Sequence, residues 1–225
     1  MEDILIYLLE LLLIIPTVLI ALTFHECAHG LVAYKLGDPT AKYMGRISLN
    51  PLRHFDIIGG LCLALCGFGW AKAVPVDMRQ FRNPKRDMAI TALAGPMTNL
   101  ILGFIGCLAY SITLRLLPGF DSRNFAYWMA YIWVVFIYNF GWLNISLAIF
   151  NLLPLPPFDG SRILSAFLPD KYYIKLMSYE RHIALGFFIL LFADSRFLGG
   201  YISGALSFLV NGVFNGMMSL FNLFW

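Results

Sequence analysis

The sequence predicts an all-α polytopic membrane protein of about five to six transmembrane helices, with short membrane-associated β-strands or a re-entrant segment near the cytoplasmic side. Three observations carry that prediction. Hydrophobic residues make up 60% of the 225 positions and charged residues only 13%, against roughly 45–50% apolar and about 25% charged in soluble domains. Several apolar runs are long enough, at about 1.5 Å per residue, to cross a hydrocarbon core of about 30 Å. The 16 Lys and Arg residues gather between the apolar runs in two main clusters. This balance excludes a soluble enzyme, a disordered segment and a nucleic-acid-binding domain, because the net charge of +3 includes no Lys/Arg stripe interleaved with aromatics.

Residues 4–22 are apolar except for Glu10 and Thr17 and form the first expected span. Met1-Glu2-Asp3 is acidic where a signal peptide is basic, and the apolar run continues past any small-residue cleavage site, so this span is expected to remain in the mature protein. Residues 43–50 alternate Met44, Arg46, Ser48 and Asn50 against Gly45, Ile47 and Leu49, and residues 70–76 contain Val74-Pro75-Val76; both are expected as short edge strands at the interface. Residues 57–68 carry Gly59-Gly60 and are short for a crossing, which favours a re-entrant element, with a thin sixth span as the alternative. Residues 88–117, residues 125–153, a segment ending near Ala193 and residues 198–223 supply four further spans.

Nine of the 16 Lys and Arg residues fall between Lys35 and Arg86, and Arg162, Lys171, Lys175 and Arg181 return to the same face two spans later. The positive-inside bias places that face in the cytoplasm and Glu2-Asp3 outside, in a multi-pass protein of the cell membrane. No repeat or appended soluble module is visible, so residues 1–225 are expected to form one integral-membrane domain, with a core over 4–168 and additional C-terminal helices over 172–225. Cys27, Cys62, Cys66 and Cys107 sit in apolar surroundings without paired spacing and read as small hydrophobes. Trp128, Trp133, Trp142 and the many Phe residues read as lipid-facing surface and interfacial belt.

The chemistry is concentrated in His25-Glu26-Cys27-Ala28-His29, an HExxH pattern at the cytoplasmic end of the first span. On a helix, residues four apart lie about 40° apart and one turn along, so both imidazoles can reach one metal ion. Two neutral imidazoles suit Zn²⁺ and leave positions open, and a carboxylate beside the ion, Glu26, can move the proton of an attacking water to a leaving amine. The bland alternative is a wet helix end. A catalytic zinc takes a third protein ligand, and the extended HExxHxxGxxH pattern does not supply it here, since Val32 and Lys35 stand three and six positions past His29 where that pattern has its Gly and its further His.

His54 and His182 read as surface or interfacial residues, and Asp38, Asp56, Asp77 and Asp87 lie in charged loops. Asp159 differs. It closes Asn151-Leu152-Leu153-Pro154-Leu155-Pro156-Pro157-Phe158-Asp159-Gly160, where three prolines break a helix directly after an apolar span. It is either the third ligand or the N-cap of a following helix. Asn99, in Gly95-Pro96-Met97-Thr98-Asn99, is either a donor to an oxyanion or to substrate backbone, or a member of an interhelical hydrogen bond.

HExxH in the first span, Gly95-Pro96-x-x-Asn99 in a later one and Asn151 to Gly160 after the next together resemble the site-2 protease family of intramembrane zinc metalloproteases, peptidase family M50, in its short prokaryotic form without a PDZ or CBS module. The resemblance covers residues 25–162. Residues 69–76 and 83–87 also look like the loop joining those motifs, with Ala73 where the family often has Pro. The resemblance implies His25, His29 and Asp159 as zinc ligands, Glu26 as the catalytic carboxylate, a cytoplasmic active site, and transmembrane proteins or peptides as substrates. A transmembrane substrate must unwind to expose its carbonyls, and the two expected edge strands are the natural partners for it. The competing readings are a membrane metal transporter or metal-binding protein using the same cluster, and a catalytically silent scaffold. The sequence leaves the oligomeric state open.

Overall fold

The computed structural model describes residues 2–57, 59, 71–117, 125–197 and 199–223. Eight α-helices are found among them: α1 (Glu2–Leu36), α2 (Thr40–Tyr43), α3 (Pro84–Leu116), α4 (Phe125–Asn151), α5 (Asp159–Ile163), α6 (Asp170–Ser178), α7 (Glu180–Phe197) and α8 (Tyr201–Leu223). Four stretches are long and apolar enough to cross a membrane: Leu12–Leu36, Pro84–Leu116, Phe125–Asn151 and Tyr201–Phe221. A fifth crossing forms if α6 and α7, bent by 59° at Tyr179, act as one broken span. The chain is a multi-pass membrane protein.

The first span does not stop near residue 22. α1 continues through HExxH to Leu36, because His25, Glu26 and His29 are buried against neighbouring elements and so do not pull the helix end into water. It ends where Gly37 adopts a φ of 114°, which a side chain would oppose. Asp38 then fastens that end: its fully buried carboxylate accepts the N–H of Thr40 at 2.9 Å and of Asp77 at 2.7 Å.

No strand occurs among the described residues, which corrects both strand expectations. Over residues 43–50 the chain leaves α2 at Tyr43, turns through Gly45 at a φ of 64°, and enters a 3-10 turn, Pro51–Arg53, capped by the Asn50 side chain on the Leu52 N–H at 3.0 Å. Residues 71–77 give their polar backbone groups mainly to side chains. Among the described residues, Arg46 donates to the carbonyls of Lys72 and Ala73, Glu26 accepts the Val74 N–H, and only Lys72 N–H reaches a backbone carbonyl outside the segment, His54 O at 2.9 Å. A ladder cannot form where side chains have taken its donors and acceptors. Trp70 and nearly all of the expected re-entrant stretch, with Cys62 and Cys66, lie outside the described residues.

Glycines set how closely the central helices approach. A Cβ on Gly106 would stand 2.8 Å from the Gly141 nitrogen, and one on Gly103 would stand 2.7 Å from Ile145 Cγ1, so α3 and α4 meet with almost no side chain between them. α1 packs against both. α8 closes the far side, with Val210, Phe214 and Phe221 buried against Cys107 and Ile145. Leu12, Ile15, Ile101, Leu114, Trp128 and Trp133 are exposed, as lipid-facing positions require, whereas Trp142 turns inward far enough to donate to Asn211 Oδ1 at 3.0 Å.

Candidate metal centre

α1 presents two imidazoles one turn apart, with ring centroids 4.6 Å from each other and Nε2 atoms 3.0 Å apart. α3 fixes the other edge of each ring. His29 Nδ1 faces the Thr91 carbonyl at 2.7 Å, and His25 Nδ1 faces Asn99 Oδ1. Both partners are acceptors, so each ring donates from Nδ1 and keeps its lone pair on Nε2. The Thr91 oxygen has two lone pairs and can serve His29 while remaining in a helix.

α5 brings the third group. Asp159 Oδ2 lies 3.1 Å from His25 Nε2 and 3.2 Å from His29 Nε2, and it is a buried oxygen with no hydrogen-bond partner. The ligand atoms of His25, His29 and Asp159 all fall within 4.8 Å of one another. Three acceptors facing each other repel unless a cation stands among them. A proton can join two of these atoms, whereas a metal ion satisfies all three. Two nitrogens and a carboxylate oxygen are a donor set suited to zinc, so the residues fit such an ion.

The turn that delivers Asp159 rests on Gly160. A Cβ there would lie 2.5 Å from the Leu152 carbonyl oxygen and 2.6 Å from the Leu153 carbonyl carbon, so only glycine lets α5 start this close to the end of α4. Between them the proline-rich stretch folds on itself, with Leu155 N–H on Leu153 O at 2.8 Å and Phe158 N–H on Leu155 O at 3.0 Å. Phe158 is the N-cap and Asp159 the first residue of α5, so the carboxylate does not occupy the capping position that was its other reading.

Glu26 stands beside the ligand trio and outside it. Its buried carboxylate accepts the Val74 N–H through Oε2 at 2.8 Å, which ties the carboxylate to the segment crossing the end of α1. Asn99 is fully buried: Oδ1 serves His25, and Nδ2 donates to Asn144 Oδ1 at 2.8 Å, with the Ala21 carbonyl 3.5 Å away. Its polar atoms are engaged within the bundle, which is the arrangement the interhelical hydrogen-bond reading describes.

The other candidates lie elsewhere. His54 is not a surface histidine: it is buried, with Nε2 donating to the Ser48 carbonyl at 2.8 Å. His182 packs edge-on to Tyr179 at the bend between α6 and α7. Asp38 and Asp87, expected in charged loops, are buried but satisfied, the latter by the Asn83 N–H at 2.9 Å and the neighbouring Arg86. Sequence reasoning missed Thr91, Asn144 and the role of Gly95. A Cβ on Gly95 would lie 2.7 Å from His25 Nε2 and closer still to His29 Nε2, so this glycine forms the wall behind the ligand nitrogens.

Peptidase family M50 matches the chain over residues 121–193, a stretch that includes Asp159 and α6 but begins well after HExxH. A Bacillus subtilis protein, the candidate zinc metalloprotease YwhC, is 37% identical over 196 residues, covering 84% of this chain and 83% of its own length. The candidate zinc metalloprotease Rip2 of Mycobacterium tuberculosis is 28% identical over 196 residues, 85% of this chain and 70% of Rip2. A third candidate zinc metalloprotease, MJ0611 of Methanocaldococcus jannaschii, is 33% identical over 147 residues, 63% of each chain. No solved structure matches with significance.

Proposed function

The chain belongs to peptidase family M50, the family of the site-2 proteases, and from that premise we propose that it is an intramembrane zinc metalloendopeptidase cleaving peptide bonds in or near the transmembrane segments of membrane proteins. The observation that carries this reading is the convergence of two Nε2 lone pairs and an unpartnered carboxylate oxygen within 3.2 Å. His25, His29 and Asp159 hold the zinc. When bound, the ion polarises the scissile carbonyl and lowers the pKa of water toward about 7.

The chain's own groups do the rest. Glu26 takes the proton of the attacking water and returns it to the leaving amine. The Val74 N–H on Oε2 aims the carboxylate, so Oε1 is the atom assigned to carry the proton. His29 lies seven residues before Leu36, the last residue of α1, or about 10 Å along the axis. Chemistry therefore takes place below the headgroups, on the cytoplasmic side if the charge bias sets orientation. A substrate helix must unwind to reach it, because its carbonyls are otherwise bonded within its own helix. Among the described residues the metal-ligating cluster sits at one end of the bundle and does not trace a path across it, which favours hydrolysis over metal transit.

Reconstitution of the full chain in liposomes with membrane-spanning peptides tests the reading. We expect zinc-dependent cleavage, loss of it with a chelator, and recovery when zinc is returned. Glu26→Gln should hold zinc and not cleave, and Asp159→Ala should fail to hold zinc. A wild-type protein that binds no metal at excess zinc, or a Glu26→Gln variant that cleaves at the wild-type rate, refutes it; zinc flux without cleavage turns the reading toward transport.

A further inference from the structure

The metal centre requires His25 to present a lone pair at Nε2, and that depends on which way round its hydrogen-bond partner lies. Asn99 can face Nδ1 with its oxygen or with its NH₂. If the NH₂ pointed there, Nδ1 would become the acceptor and the ring proton would move to Nε2, where it blocks the metal. Nothing in the His25–Asn99 pair itself decides between the two. The next residue along the chain of bonds does.

Asn144, in the middle of α4, is fully buried. Its Nδ2 donates to the Phe140 carbonyl at 2.9 Å, and its Oδ1 accepts from Asn99 Nδ2 at 2.8 Å. A backbone carbonyl can only accept, so Phe140 fixes the amide of Asn144, which turns its oxygen toward Asn99. Asn99 must then turn its NH₂ to Asn144 and its oxygen to His25. The Ala21 carbonyl, 3.5 Å from Asn99 Nδ2, adds weakly in the same sense. The polarity of the whole relay is thus set 4 residues back along α4, at an atom that has no second option.

We infer that Asn144 is a positioning residue for the metal centre: through Asn99 it holds His25 in the tautomer whose Nε2 faces the ion. This rests on the zinc reading above, and the test separates the two. In the purified full chain, cobalt(II) is titrated against a competing chelator and its visible bands are recorded for wild type and three variants. Asn144→Asp keeps the relay in its protonated form, because its O–H can face Phe140 and its C=O can face Asn99. Asn144→Ser bonds back to the carbonyl 4 residues earlier, as Ser146 does to Trp142, and is too short to reach Asn99. Asn144→Leu removes both bonds.

The expected result is that Ser and Leu bind cobalt about 10- to 100-fold more weakly than wild type with altered bands, the range seen for loss of a partner behind a metal ligand, while Asp stays within about threefold. If Leu is not recovered folded, the Ser and Asp variants decide. A folded Asn144→Ser protein with wild-type affinity and spectrum overturns the inference and leaves the zinc reading standing. Wild-type protein that binds no cobalt removes the zinc reading, and the inference with it.

Discussion

Gly95→Ala adds one carbon atom to the wall behind the metal centre. Its Cβ would lie 2.5 Å from His25 Cε1 and 2.7 Å from His25 Nε2, and nearer still to His29 Nε2. Unstrained heavy-atom contacts fall near about 3.5 Å, so the two rings would have to withdraw by roughly 0.8–1.1 Å. Neither can swing freely, since the Nδ1 edges are held by Thr91 O and Asn99 Oδ1. Metal–ligand distances tolerate only about 0.2 Å. The substitution should therefore weaken zinc binding at least about 100-fold, close to 3 kcal/mol, and overpacking should cost the fold about 1–3 kcal/mol. Zinc competition with a chromophoric chelator measures the first, and a thermal melt in micelles the second. Gly204→Ala is the control: nothing lies within 4 Å of its Cβ, and both readouts should stay at or above wild type. A Gly95→Ala protein that binds zinc within about threefold of wild type would show that the imidazoles are not seated against this glycine, and the geometry argued above would be wrong.

Two further outcomes follow from the same contacts. Gly160→Ala should displace Asp159, because the added carbon meets the Leu152 and Leu153 carbonyls, which are backbone and cannot rotate away; bound zinc should fall while far-ultraviolet circular dichroism keeps its helical signal. Asp38→Asn should lower stability by about 1–3 kcal/mol, since the amide can serve only one of the Thr40 and Asp77 N–H groups. A melt reads that loss, and zinc stoichiometry should be unaltered.

The spans, the HExxH helix and Asp159 were legible because each leaves a local mark: an apolar run, a four-residue spacing, a carboxylate where prolines break a helix at membrane depth. The expected strands failed for a reason equally physical. Alternation over residues 43–50 is a pattern in one segment, but a strand needs a partner, and here Arg46, Glu26 and Asp38 had taken the backbone groups a partner would use. Asp38 and His54 were read as loop residues because burial by distant segments has no local signature. Asn144 could have been flagged, since an amide inside an apolar span is expensive and needs a partner; which partner it takes is a property of the packed helices alone.

The spacing on α3 shows why the metal centre needs a third helix that supplies none of its ligands. Thr91, Gly95 and Asn99 follow one another at intervals of four, so they lie along one face within about 80°. In order they offer an acceptor for His29, an absent side chain, and an acceptor for His25. The two histidines stand one turn apart on α1, and their acceptors stand two turns apart on α3, with Gly95 midway between them. Two residues of the Gly95-Pro96-x-x-Asn99 pattern then have a definite task. The glycine makes room for the Nε2 atoms, and the asparagine orients one ring. Pro96 lacks the N–H that would bond the Ala92 carbonyl, one residue on from the Thr91 carbonyl that holds the other ring. Gly103 continues that face into the contact with Ile145, one residue from Asn144. Helix packing and ligand orientation are therefore one constraint: a side chain that separated α3 from α4 at Gly103 or Gly106 would also pull Asn99 from Asn144, and a ligand on α1 would lose its orientation without being touched.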